Sequence, residues 1–195
     1  QYGAGRRLNS IYEATSRFAS IGYAERTEPL SAEEQTALGD SLLLIYLQIV
    51  GFFDALAIAL HRSHGITSIN ERHSDLLKPS FRRRIESTDL DKVFSENNEW
   101  TTRIKEGLRN RYVHRLPPYV PPAQWTPEDR QRYEELQFQW RTALGQQQWE
   151  RLDEIREEQD RLGTFFPFIS FLDSNELMPL NPTILDDVLR FQVVA

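Results

Sequence analysis

Cysteine is absent from this 195-residue chain. That removes disulfide scaffolds, cysteine-ligated zinc and thiol nucleophiles together, and it fits a reducing compartment, so a cytoplasmic location is expected. Lysine is scarce: three of the 23 basic residues are lysine and the rest are arginine, whose planar fork suits carboxylates and phosphates. Positive charge is in deficit overall, with a net charge of -6. No global attraction to nucleic acid follows, and any RNA contact has to come from a local patch. Phosphate loops, dinucleotide fingerprints, nucleophile elbows and zinc-protease helices have signature spacings, and none of them occurs. Alternating strand patterns and internal repeats are missing as well.

What remains is helical periodicity. Apolar positions Leu8, Ile11, Tyr12, Phe18 and Ile21 predict an amphipathic helix over about 7–21. Ser31 with Glu34 forms a capping box that opens a long helix running to His64 and stopping at Gly65. Two short helices are expected in 66–97, one after Ser80 and one near Leu90 to Phe94. Trp100, Ile104, Leu108 and Tyr112 recur every fourth residue and predict a helix over about 99–115. Pro117, Pro118, Pro121 and Pro122 then impose a stiff extended connector. Thr126 as N-cap with Pro127 restarts a helix, and Gly145 and Gly163 bound an antiparallel pair over 127–162. The tail TFFPFISFL is ambiguous by pattern; with no sheet partner in view it is assigned to helix, and Asn181 and Pro182 begin the last one.

The expected fold is therefore an all-α helical bundle with a long central helix and an additional antiparallel helix pair after the proline-rich connector. A single domain over 1–195 is expected, with a core at about 7–115 and a helical extension at about 123–195. Residues 41–60, SLLLIYLQIVGFFDALAIAL, have the length of a spanning helix, but Gln48 and Asp54 interrupt them. A central Asp costs roughly 3 kcal/mol on insertion scales, so a buried bundle helix without membrane contact is expected.

Chemistry concentrates near the proline run. At 100° per residue, Arg103, Gly107, Asn110 and His114 share a narrow polar face beside the apolar stripe. Gly107 in mid-helix implies a close approach by another backbone or a ligand. Asn110, four residues before His114, is placed to fix the imidazole tautomer, as a proton-transferring histidine requires. Arg109 lies about 140° from His114 on an ideal helix, so the two converge only through distortion, a wrapped side chain or a second protomer. The alternative is structural: Arg111, His114 and Arg115 capping the last carbonyls of the helix. Asp54, set among Gly51, Phe52, Phe53 and Ala55, is expected to meet a cation, with Arg109 or His114 first, unless it pairs with another neighbouring arginine or is simply exposed. His61 and His64 at i, i+3 lack accompanying carboxylates, and no metal or other cofactor is expected.

Arg109, Asn110 and His114 match the R-N-x-x-x-H form of the motif of HEPN domains, small all-α bundles of bacterial toxins and RNA-targeting defence proteins. The segments GFFDALAIAL, RNRYVHRLPPYVPP and DRLGTFFPFI resemble an uncharacterised bacterial HEPN-like family, in blocks over roughly residues 40–170. The resemblance implies a metal-independent endoribonuclease working as a homodimer, with the motif helices of both chains at one composite site. Arg109, Asn110 and His114 would be catalytic, and attack by the RNA 2'-hydroxyl would leave a 2',3'-cyclic phosphate. Arg103, Arg111, Arg115, Arg82, Arg83 and Arg84 would hold the backbone, with Asp54 and Gly107 in support. A regulatory or antitoxin protein is the implied partner. Leu116 stands where many toxin members carry a modified Tyr. A catalytically silent module that binds a protein or nucleic acid is the other reading.

Overall fold

A computed structural model describes residues 2–114, 118–172, 174 and 176–195, with backbone alone at Tyr2 and His114. Helices make up most of it, so the chain is an all-α bundle with one small ribbon. Helix α1 (Tyr2–Ile21) and helix α2 (Ala32–Ser63) form an antiparallel hairpin: Gly22 lies against Leu38, and Gly3 against Ala55. The capping box at Ser31 is present, with Glu34 N–H donating to Ser31 Oγ at 3.2 Å and Ser31 N–H to Glu34 Oε2 at 2.9 Å. Gly65, at φ +60°, follows the end of α2.

The loop between these helices is fastened by one buried arginine. Arg26 donates to the carbonyls of Ile21, Glu28 and Pro29 and to both oxygens of Glu34, at 2.7 and 2.8 Å. The guanidinium holds the Glu34 carboxyl down at about 2.

Three short helices follow the 3-10 turn Glu71–His73: α3 (Pro79–Arg82), α4 (Thr88–Glu96) and α5 (Asn98–Thr102). Phe53 of α2 meets Phe94 and Trp100 edge-on at 5.4 and 6.4 Å. Each such ring, fully buried, contributes about 1.5–3 kcal/mol before the entropy of ordering is subtracted. From Arg103 to Arg109 the predicted helix is not α but π, with Asn110 N–H reaching the carbonyl of Lys105 five residues back. Helix α6 (Asn110–His114) completes it. The apolar stripe explains the wider turn. On an α-helix a strict four-residue repeat drifts by about 40° each step. Trp100, Ile104 and Leu108 stay buried because the π segment removes that drift, and Tyr112 stacks on Tyr46 at 6.3 Å.

The proline connector is part of the core, with Val120 buried and Leu30 N–H donating to the carbonyl of Pro122 at 3.0 Å. Helices α7 (Pro127–Gly145) and α8 (Trp149–Asp160) form the expected pair around their own small cluster of Leu136, Ala143, Leu152 and Ile155. The tail differs from its assignment. Instead of helix it forms strand β1 (Phe168–Phe171), antiparallel to β2 (Glu176–Pro179), with Ile169 opposite Met178. The sheet partner missing from the sequence pattern is the chain's own continuation. The connector adds to it, as Tyr119 exchanges both backbone bonds with Ser170 at 2.9 and 2.7 Å. Helix α9 (Leu180–Val194) returns to the main core through Leu180, Ile184 and Phe191. The extension expected at 123–195 is thus only the α7–α8 pair; its two flanks belong to the core.

Helix α2 is long and apolar enough to cross a bilayer by length and composition, and half of its most apolar stretch is buried inside the fold.

Candidate functional site

Gln48, Gly51 and Asp54 follow one another along one stripe of α2, with Gly51 buried and Asp54 exposed, and two elements flank it. On one side the antiparallel hairpin brings Arg7 of α1 level with Gln48 and Gly51. Its Nη1 donates to Gln48 Oε1 at 2.8 Å. On the other side the ring pairs Phe53–Trp100 and Tyr46–Tyr112 set the motif helix antiparallel to α2, so the residues between them stand level with the same turns. Lys105 and Arg109 lie in that interval.

Arg109 is half-buried, and Asn110 fixes it: Arg109 Nη1 donates to Asn110 Oδ1 at 2.9 Å, while Asn110 Nδ2 donates to Glu106 Oε2 at 2.6 Å. The carboxamide is thereby oriented by its two neighbours along the helix. The side chain of His114 and all of Arg115 and Leu116 lie outside the described residues, and with them the expected Asn110–His114 bond.

Asp54 is exposed and makes no contact ion pair among the described residues: the expected meeting with Arg109 is replaced by a longer-range interaction, and the side chain of His114, the other expected partner, lies outside the described residues. Burial of one flank and the nearby Asp75 carboxylate raise its pKa, while Lys105, Arg109 and Arg7 act in the opposite direction. Lys105 is itself held by Asp75 at 2.8 Å. Gly107 has no close neighbour to accommodate: a Cβ there meets only Arg103 Cγ, at 3.6 Å. The expected close approach occurs at Gly51 instead, where a Cβ would lie 2.2 Å from Arg7 Nη1.

The arginines assigned to a phosphate backbone separate into two groups. Arg103 does not share the exposed polar face with Asn110, because the π segment changes the phase; it turns inward to a carboxylate that sequence reading missed, Asp187 of α9. Asp187 is fully buried and also accepts from Trp100 Nε1 and Tyr46 Oη, both at 3.0 Å. Burial and this neighbouring carboxylate push the Tyr46 hydroxyl well above its ordinary value. Arg82 is 2% exposed; it bonds Asp91 at 2.8 Å and the carbonyl of Leu76 at 3.0 Å, and it lies over the Phe94 ring. Arg111 covers the Phe171 ring at 4.5 Å and pairs with Glu176 at 3.5 Å. These three stabilise the fold. Arg83 and Arg84 are exposed, and Arg84 donates to Ser68 Oγ at 2.7 Å. Arg83 shares its hollow with Glu86 and Asp91, which dilutes the positive charge.

Among the described residues no group of histidines and carboxylates is arranged to hold a metal ion. His61 Nδ1 meets Ser74 Oγ at 2.8 Å and His64 Nδ1 meets the carbonyl of Leu60 at 3.2 Å, so the two serve separate partners.

Arg7 and Asp187 had no local signal: each is an ordinary charged residue in an amphipathic helix. The π segment did have one, a four-residue apolar repeat with Arg103, Gly107 and Arg111 at the i+3 positions. Compared with protein-family models, curated proteins and solved structures, the chain matches none.

Proposed function

We propose that the chain is a metal-independent endoribonuclease of HEPN type, acting as a cytoplasmic homodimer in bacterial defence or as a toxin under the control of a partner protein. One observation carries the reading. Among the described residues, Arg109 bonds only the neutral amide of Asn110, whereas Arg103 and Arg111 of the same helix are matched to Asp187 and Glu176. Its guanidinium is oriented in advance and keeps its charge for an external anion.

In the proposed step the 2'-oxygen of RNA attacks the adjacent phosphorus and loses its proton to a base. The bond from phosphorus to the 5'-oxygen breaks, and that oxygen leaves with a proton. His114, at the C-terminal end of α6 where a cation is favoured, is the proton donor, and Arg109 stabilises the charged phosphorane.

A second reading has its own support: Glu106 brings a carboxylate to Asn110, and Arg82, Arg103 and Arg111 are committed within the fold, which favours a silent binding module. Incubation with RNA in EDTA separates the two. The nuclease reading expects 2',3'-cyclic phosphate ends that disappear in His114→Ala and Arg109→Ala variants with unchanged circular dichroism. RNA left intact by the wild type supports the module, and cleavage retained by both variants removes these residues from the reaction.

A further inference from the structure

Arg7 is an arginine that the proposed chemistry leaves unused. Its guanidinium rests on the backbone of α2 at Gly51, since a Cβ there would meet Nη1 at 2.2 Å, Cζ at 2.6 Å and Nε at 3.2 Å. Gln48, one turn earlier, holds it through a neutral acceptor at 2.8 Å, and among the described residues no carboxylate pairs with it. Glycine is what permits this arrangement: any side chain at 51 would occupy the space of the guanidinium. Arg109 is held in the same manner from the opposite flank, by a neutral amide and not by an acid.

In a chain of net charge -6, Arg7 and Arg109 are oriented by amides on the two sides of α2, and both bring positive charge to bear on Asp54. We infer that Arg7, laid over Gly51 and steadied by Gln48, is a second anion subsite that takes a phosphate of single-stranded RNA next to the one held by Arg109. The inference rests on the ribonuclease reading for the identity of the ligand, but not on cleavage. Asp54 at the next turn offsets part of the positive field, so an anion that meets both arginines at once is favoured over one that meets either alone.

The test is fluorescence anisotropy with a labelled 2'-O-methyl RNA oligonucleotide, which cannot be cleaved through its 2'-position, over a series of salt concentrations. Arg7→Ala is expected to weaken binding about tenfold, as for loss of one charged hydrogen-bonding partner. The slope of log affinity against log salt should fall by about 0.7, one phosphate contact on a single strand. Gly51→Ala keeps the arginine but displaces its guanidinium, and is expected to reproduce both changes; a purely structural role for Arg7 would not alter the salt slope. Wild-type affinity and slope in both variants overturn the subsite, as does failure of the wild type to bind the probe. If the wild type binds the probe and shows the Arg7 dependence yet leaves ordinary RNA intact, the subsite stands and the nuclease reading falls.

Discussion

At the scale of single residues, the molecule sorts its arginines by what opposes them. Arg26 is neutralised by Glu34, Arg82 by Asp91 and Arg103 by Asp187, and each of these ties two elements together. Arg7 and Arg109 are opposed by amides. The difference decides which cations are available to a ligand, and residue identity alone cannot express it. Asp187 is the most exacting case. With its carboxylate fully buried, its removal leaves the Arg103 guanidinium, the Trp100 N–H and the Tyr46 hydroxyl without their acceptor. Asp187→Ala is expected to cost about 2–6 kcal/mol in urea unfolding, because the buried Trp100 N–H and Tyr46 hydroxyl each lose an acceptor at about 1–3 kcal/mol, while the partly exposed Arg103 regains water. A loss below about 1 kcal/mol would mean that the network adds nothing net to stability.

At the scale of elements, caps and breakers were legible because they act locally. Ser31 with Glu34, and Thr126 with Pro127, satisfy the first N–H groups of their own helices whatever else the chain does. The strand at 168–171 was not legible: FISF has the same apolar character in a helix, and the choice was made by a partner strand and by Tyr119, more than fifty residues away. The π segment stands between these cases, with its four-residue repeat visible but its consequence for Arg103 and Asn110 dependent on packing against α2. Because Gly107 has room for a Cβ, Gly107→Ala is expected to raise stability in urea unfolding by about 0.5 kcal/mol, through loss of unfolded-chain freedom. Destabilisation beyond about 1 kcal/mol would show that the π geometry requires glycine there.

At the scale of the whole molecule, the chain leaves its core once and comes back. The α7–α8 pair is pinched at its base, where Gln124 and Thr164 exchange backbone bonds at 2.8 and 3.0 Å, and it packs on a cluster separate from the main core. Helix α9 supplies Leu180, Ile184, Phe191 and the buried Asp187 to that core. Replacing residues 126–162 by a short Gly-Ser linker is therefore expected to preserve cooperative thermal unfolding, whereas ending the chain at Pro179 is expected to abolish it. The opposite pattern would show that the hairpin, and not α9, completes the fold.

Local signals in the chain set where most helices begin and end, the all-α class, and the candidate motif Arg109, Asn110 and His114 at the end of one helix, because caps, prolines and apolar periodicity act within a few residues; that Asn110 bonds Arg109 was not among them. Which charges are matched depends on packing across the whole chain. Asp187 reaches Arg103 across 84 residues, and Arg7 reaches Gln48 across 41. Such pairings depend on which helix faces meet, and that is fixed by packing of the whole core and not by local preference.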